Sequence, residues 1–319
     1  MNTIHILKEE GRARLGIVRT QHGDIDTPVF MPVGTQGIVK ATSPKDLKEM
    51  GVRIILANAY HLYLRPGDAL IQEMGGIHRF AGWNGAVLTD SGGYQIFSLG
   101  VLREIREDGV LFQSHIDGSR HFLTPEKVIR IQENIGADII MCLDECIPYP
   151  SSYEYTKSSV GLTSRWARRC KEAKKPDDSM LFGIVQGGFY KDLRLKSAQE
   201  LIDIDFNGYA LGGLSVGEPK SIMWEMIDTV VDVLPPNKPK YLMGVGFPED
   251  IVEGVYRGID MFDCVIPTRH ARNGSLFTRE GRINIKHARY TNDESPIDER
   301  MPAPGATDAN RKRSVLRLP

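Results

Sequence analysis

Three aspartates in this chain each sit at or just beyond the end of a short apolar run: Asp90 after AVLT, Asp144 after IIMCL, and Asp263 inside MFDC. Carboxylates gathered at one mouth raise one another's pKa, so at least one can hold a proton near neutrality and pass it on. Two carboxylates facing one sugar are the equipment of glycosyl transfer, where one attacks the anomeric carbon and the other protonates the leaving group. A single aspartate at a strand end more often only caps the next helix. Three together, with Gly187-Gly188 and Gly212-Gly213 beside two further tips, point to a site.

The polar groups around these carboxylates suit a base as leaving group. Asp144 can accept from the N1–H and amino group of guanine, while the Gln186 amide and the Gly213 peptide N–H can donate to O6. Tyr94 offers a flat ring and Met243 a flexible thioether for the two faces of a planar base, although each residue type is more often plain core. Just beyond Asp263, PTRHARNGSLFTREGRINIKHARY concentrates Arg269, Arg272, Arg279, Arg282, Lys286 and Arg289, a cluster able to hold phosphates. Solvated surface charge is the bland alternative, and only the nearness of Asp263 tips the balance against it.

Positioning such tips takes a repeating scaffold. Apolar runs recur in RIILANAY, AVLTDSGG, ADIIMCLDEC, LFGIVQGG, YALGGLSVGE, YLMGVGFPED and MFDCVIPTR, the pattern of buried parallel strands. Helical segments alternate with them and carry start signals at Ser43-Pro44, Thr124-Pro125 and Pro248. With PVFMPVGT as the first strand the count reaches eight, which closes an α/β (β/α)8 TIM barrel. An open doubly wound sheet is less apt, because no Gly-rich dinucleotide fingerprint opens the first repeat. GVLFQSHIDGSRHFLT alternates around Asp117-Gly118 and is expected to be an antiparallel insertion with a type I′ turn. From about Ser295 the periodicity ends in a proline-containing, basic stretch read as a mobile tail.

The bulk numbers agree with a soluble globular protein: 319 residues, 41% hydrophobic, 25% charged, net charge −1. A nucleic-acid partner would therefore be held by a local basic patch and not by the whole molecule's field. The absence of a signal-like apolar segment and of any run long enough for a bilayer predicts a cytoplasmic protein with no membrane partner. The four cysteines, Cys142, Cys146, Cys170 and Cys264, are too few for a disulfide scaffold and read as reduced thiols.

The segments TDSGGYQIFSL, MCLDECIPYP, GIVQGG, GYALGGLSVGE, YLMGVGFPEDI and MFDCVIPTRHARNG together resemble those of the bacterial-type tRNA-guanine transglycosylases, from about Ile17 to about Pro296. The resemblance implies a TIM-barrel catalytic domain over 1–295, with Asp263 as covalent nucleophile and Asp90 as general acid/base. It implies that Ser91, Gly92, Gly93, Tyr94, Asp144, Cys146, Gln186, Gly213, Leu214, Val216 and Met243 surround the base. Val216, where relatives that accept queuine have glycine, implies 7-aminomethyl-7-deazaguanine (preQ1) as the incoming base in exchange for guanine. Contacts to the tRNA anticodon loop are implied for Gly244, Val245, Gly246, Phe247, Pro248, Glu249 and Asp250, and for Thr268, Arg269, His270, Ala271 and Arg272.

One part departs from the family. A C-x-C-x-x-C run with a later histidine normally forms a structural zinc site that supports a homodimer and the RNA platform. Met301, Ala303 and Ala306 occupy the corresponding positions and no histidine follows, so neither zinc nor any other cofactor is expected, and dimerisation is doubtful. Residues 296–319 are expected to be a divergent tail. Two competing readings are a truncated homologue that binds base or tRNA without turnover, and a glycoside or nucleoside hydrolase on the same barrel. Retention of both Asp90 and Asp263 favours turnover over the first, and the guanine-shaped group with its basic neighbour favours RNA over the second.

Overall fold

In the computed structural model, which describes residues 2–99, 102–177, 179–293 and 297, every apolar run named above forms a strand. An antiparallel sheet comes first: β1 (Ile4–Glu10), β2 (Ala13–Thr20) and β3 (Gly23–Thr27). The barrel strands follow as β4 (Val29–Pro32), β5 (Ile54–Ala57) and β6 (Ala86–Thr89). A second antiparallel sheet interrupts them: β7 (Arg103–Arg106), β8 (Gly109–Gln113) and β9 (Arg120–Leu123). The barrel then resumes with β10 (Ile139–Met141), β11 (Met180–Val185), β12 (Gly208–Leu211), β13 (Lys240–Leu242) and β14 (Met261–Cys264).

These eight strands are parallel in the order β4-β14-β13-β12-β11-β10-β6-β5. The ring closes where Val33 pairs with Leu56 and the Gly34 N–H donates to the Leu56 carbonyl at 2.6 Å. Side chains alternate across each strand, as a period of two requires. Ile54, Leu56, Leu88, Met141, Phe182, Ile184 and Met261 fill the interior, which Ile4, Val18 and Ile25 of the first sheet close from below. Their sequence neighbours Ile55, Val87, Ile140, Leu181, Val185 and Phe262 pack outward against the helices. Strands buried on both faces must read as unbroken apolar runs, and they do.

Helix starts follow their caps. Ser43 and Asp46 form a capping box ahead of Pro44–Glu49, and Thr124 caps Pro125–Ile135 through the Lys127 N–H. The insertion is antiparallel as expected, with Gln113 opposite Arg120. Its turn is not type I′. Asp117 is absent from the positive-φ residues, Gly118 alone has φ of 75°, and six residues separate the paired ends, held by the Ser114 N–H to the Ser119 carbonyl at 2.8 Å. Among the described residues no helix is long and apolar enough to cross a membrane. The domain boundary near 295 and, apart from Ile297, the tail beyond it lie outside the described residues.

Candidate active site at the barrel mouth

Asp90 stands one residue beyond β6 and is buried. Its carboxylate accepts from the Asn58 side-chain amide, the Ala59 N–H at 3.0 Å and the Gln95 amide at 2.9 Å. Burial raises its pKa to about 7, the negative charge of Asp263 adds to that, and the three hydrogen bonds fail to offset them. Asp263, on β14, accepts from the Tyr241 hydroxyl and from the Gly244 N–H at 2.8 Å. Burial again lifts its pKa above the ordinary carboxylate value, against those two hydrogen bonds. Among the described residues neither carboxylate has a cationic hydrogen-bond partner.

Asp144 lies three residues past β10 and is likewise buried. It accepts from the Ser91 hydroxyl at 3.1 Å and from the Gln186 amide at 2.7 Å, while burial, helped by Glu145, pushes its pKa up to about 6. The third, fourth and fifth strand tips are thus tied together through one carboxylate. The sequence reading gave the Gln186 amide to a base. Here one of its N–H bonds goes to Asp144, and its Oε1 is buried with no partner. Gly93 must be glycine: a Cβ there would lie 2.6 Å from Asp144 Oδ1. Gly93, Asp144 and Cys146 line a small, half-open cleft with room for about 20 Å³. Tyr94, the residue after Gly93, is 54% exposed. The thiol of Cys146 is pushed up to about 12 by burial, which leaves it neutral and unreactive at neutral pH.

Four residues escaped the sequence reading. Asn58 and Gln95 orient Asp90, and Tyr241 orients Asp263. Glu218 accepts from the Ser215 and Val216 N–H groups and so shapes the loop carrying Val216. Asn58 was legible as the polar residue ending RIILAN, and Tyr241 as the inward member of β13, whereas nothing in local spacing marks Gln95 or Glu218.

The basic side of the mouth follows directly from β14. The helix Ile266–Arg272 leads into the hairpin β15 (Ser275–Thr278) and β16 (Gly281–Asn284), with Arg269, Arg272, Arg282 and Lys286 exposed. Phe247 joins the two implied RNA segments by packing edge-on against His270, ring centroids 5.9 Å apart. Lys220 pairs with Asp250 at 2.7 Å at the start of the helix Pro248–Tyr256. Val245 is buried and offers no free surface, whereas Met243 is half-buried, packed against the barrel interior with part of its thioether chain still accessible.

Zinc does not fit the residues at the family's ligand positions: Met301, Ala303 and Ala306 offer a thioether and two methyl groups, and they lie outside the described residues. The four cysteines are all free and buried. Among the described residues one group, His22, His78 and Asp138, brings potential metal donors together. Its geometry opposes a shared ion. The two imidazoles stack with centroids 3.5 Å apart and planes 13° from parallel, so no single ion lies in both ring planes, where the nitrogen lone pairs point. Each ring instead bonds one Asp138 oxygen, at 2.8 and 3.1 Å.

Comparison with known proteins adds the family. The queuine tRNA-ribosyltransferase family profile matches residues 9–315. The chain is 60% identical over 315 residues to the queuine tRNA-ribosyltransferase of Caldanaerobacter subterraneus subsp. tengcongensis, covering 98% of this chain and 84% of that protein. It is 61% identical over 287 residues to the queuine tRNA-ribosyltransferase of Halothermothrix orenii, covering 90% and 77% respectively. An eight-stranded barrel whose strand tips carry three carboxylates of raised pKa, matched along nearly its whole length by these relatives, belongs to the queuine tRNA-ribosyltransferase family.

Proposed function

We propose that the protein exchanges guanine at the anticodon wobble position of tRNA for 7-aminomethyl-7-deazaguanine by double displacement. The observation that carries this reading is the pair Asp90 and Asp263, electrostatically coupled at one mouth and without cationic hydrogen-bond partners. Asp263 attacks C1′ of a flipped-out guanosine as the C1′–N9 bond breaks, and guanine leaves with a proton supplied from Asp90. The incoming base returns its N9 proton to Asp90 and attacks C1′, the Asp263 ester departs as carboxylate, and configuration is retained. A carboxyl with pKa about 7 gives and takes a proton with little cost at neutral pH, which suits Asp90 to both half-reactions.

In this reading Asp144, Gln186, Gly213 and Leu214 recognise the base edge, Tyr94 and Met243 cover its faces, and Val216 selects the small 7-substituent. The segments Gly244–Asp250 and Thr268–Arg272, with the basic hairpin, take the anticodon-loop phosphates. The residue types at 301, 303 and 306 support a chain without zinc and with a weak or absent dimer, which elemental analysis and sedimentation of the purified protein check. The decisive experiment incubates the protein with radiolabelled guanine and unmodified tRNA. Label entering the RNA is expected. Guanine bound without label transfer would favour the idle barrel, and base release without exchange the hydrolase.

A further inference from the structure

Arg194, on the helix Lys191–Ile204, is fully buried. Buried arginines ordinarily face a carboxylate, because an uncompensated charge is costly out of water. This one bonds backbone only. Its Nε donates to the Gly188 carbonyl at 2.9 Å, Nη1 to the carbonyls of Val185 at 3.0 Å and Gly212 at 2.8 Å, and Nη2 reaches the Gly213 carbonyl at 3.4 Å. The tips of β11 and β12 are thereby gathered onto a single guanidinium. Gly187 lets the loop pass close over the helix, since a Cβ there would lie 2.7 Å from the backbone nitrogen of Arg194.

The consequence follows from peptide planarity. In a trans peptide the C=O and N–H point in opposite directions. With the Gly212 carbonyl turned down to Arg194, the Gly213 N–H must point up, away from the helix. The Gly213 carbonyl, turned the same way, sends the Leu214 N–H up as well. Neither N–H has an acceptor among the described residues. Gly213 lies against the Gln186 side chain, whose amide bonds Asp144. A cation bonded to the carbonyl end of a peptide also polarises it and strengthens its N–H as a donor. Burial lowers the Arg194 pKa only to about 10, so the charge is present at neutral pH.

We propose that Arg194 is a positioning residue for base selection: it turns and polarises the Gly212–Gly213 peptide so that its N–H reads the carbonyl oxygen of a 6-oxopurine. The proposal rests on the reading of Asp144, Gln186 and Gly213 as the base pocket. A purely structural tie would affect all ligands of the pocket alike, whereas this role acts on one ligand atom.

The test compares guanine with 6-thioguanine, which keeps the N1–H and amino group but replaces O6 by a weaker acceptor. Binding of both is measured by calorimetry to the wild type, Arg194→Lys and Arg194→Met, each checked for folding by circular dichroism. Arg194→Lys, which keeps the charge but cannot span four carbonyls, is expected to weaken guanine about tenfold and 6-thioguanine less than about twofold, the difference expected for one well-aimed hydrogen bond. Arg194→Met should erode the ratio further. Equal loss for both ligands, or an unchanged ratio, would overturn the proposal. So would failure of the Lys variant to fold, which would assign Arg194 to the stability of the barrel. A wild type that binds no guanine would instead overturn the pocket reading, and the proposal with it.

Discussion

The two ends of the barrel bury carboxylates to opposite effect. At the lower end Arg14 forks both oxygens of Asp260, at 2.7 and 2.6 Å, in a fully buried pair. Asp138, just before β10 as Asp260 is just before β14, accepts from His22, His78 and the Val87 N–H. Burial alone would raise the Asp138 pKa, yet the hydrogen bonds from His78, His22 and Val87 outweigh it and the pKa falls. At the upper end Asp90 and Asp144 are buried and Asp263 is half-buried, their hydrogen-bond donors among the described residues are all neutral, and all three pKa values rise. Burial does not by itself make a carboxylate reactive. The partners it meets decide the outcome: those of Asp138 overcome its burial, and those of Asp90 do not.

Removing the carboxylate proposed to attack C1′ breaks the comparison most sharply. Asp263→Ala should abolish exchange, about 10⁴-fold or more as for loss of a covalent nucleophile, and should leave no RNA adduct on a denaturing gel. An adduct that survives would remove Asp263 from the role. Asp90→Asn is next, with a rate loss of roughly 10²–10⁴ for loss of a positioned acid/base. The same change should alter stability in a defined direction. The folded state holds the Asp90 proton between pH 3.8 and about 7 while the unfolded state has lost it, so the unfolding free energy falls as pH rises through that window. Asparagine carries no such proton. Denaturant titrations should therefore show a flatter decline in the variant, and an unchanged slope would mean that Asp90 is ionised in the native protein.

The lower end should respond in stability and not in chemistry. Asp260→Asn strands a buried Arg14 charge and should cost about 3–5 kcal/mol, while guanine affinity of the folded protein stays within twofold. A loss of base affinity there would show that the two ends are coupled. The smallest effect belongs to Asp144→Asn, which turns one acceptor into a donor facing a donor and should weaken guanine by about 1–3 kcal/mol with the fold intact. Unchanged affinity in calorimetry would exclude that contact.

Much of this contrast was legible before any coordinates. The carboxylates at the strand tips stand out because each lies at or near the end of an apolar run, and the runs stand out because a strand covered on both faces is predominantly apolar. Asp138 and Asp260 were passed over although they flank the same runs, at the start instead of the end. Position relative to a strand distinguishes the two faces of a barrel, but it does not reveal which partner a carboxylate meets. The hairpin turn was misjudged for a related reason. Asp-Gly favours type I′ in isolation, whereas the pairing of Gln113 with Arg120 demands a longer loop.

The amino-acid order determined the eight-strand repeat, the helix starts at Ser43 and Thr124, and the layer in which Asp90, Asp144 and Asp263 would lie, because burial and capping act through neighbours a few residues apart. Tertiary structure alone decided the rest. Asp90 meets Asn58 from another strand, Arg14 reaches Asp260 across 246 positions, and Arg194 gathers the tips of two strands onto one guanidinium. Hydrogen bonds and charges act through space, and only the closed ring of strands brings those distant residues within reach.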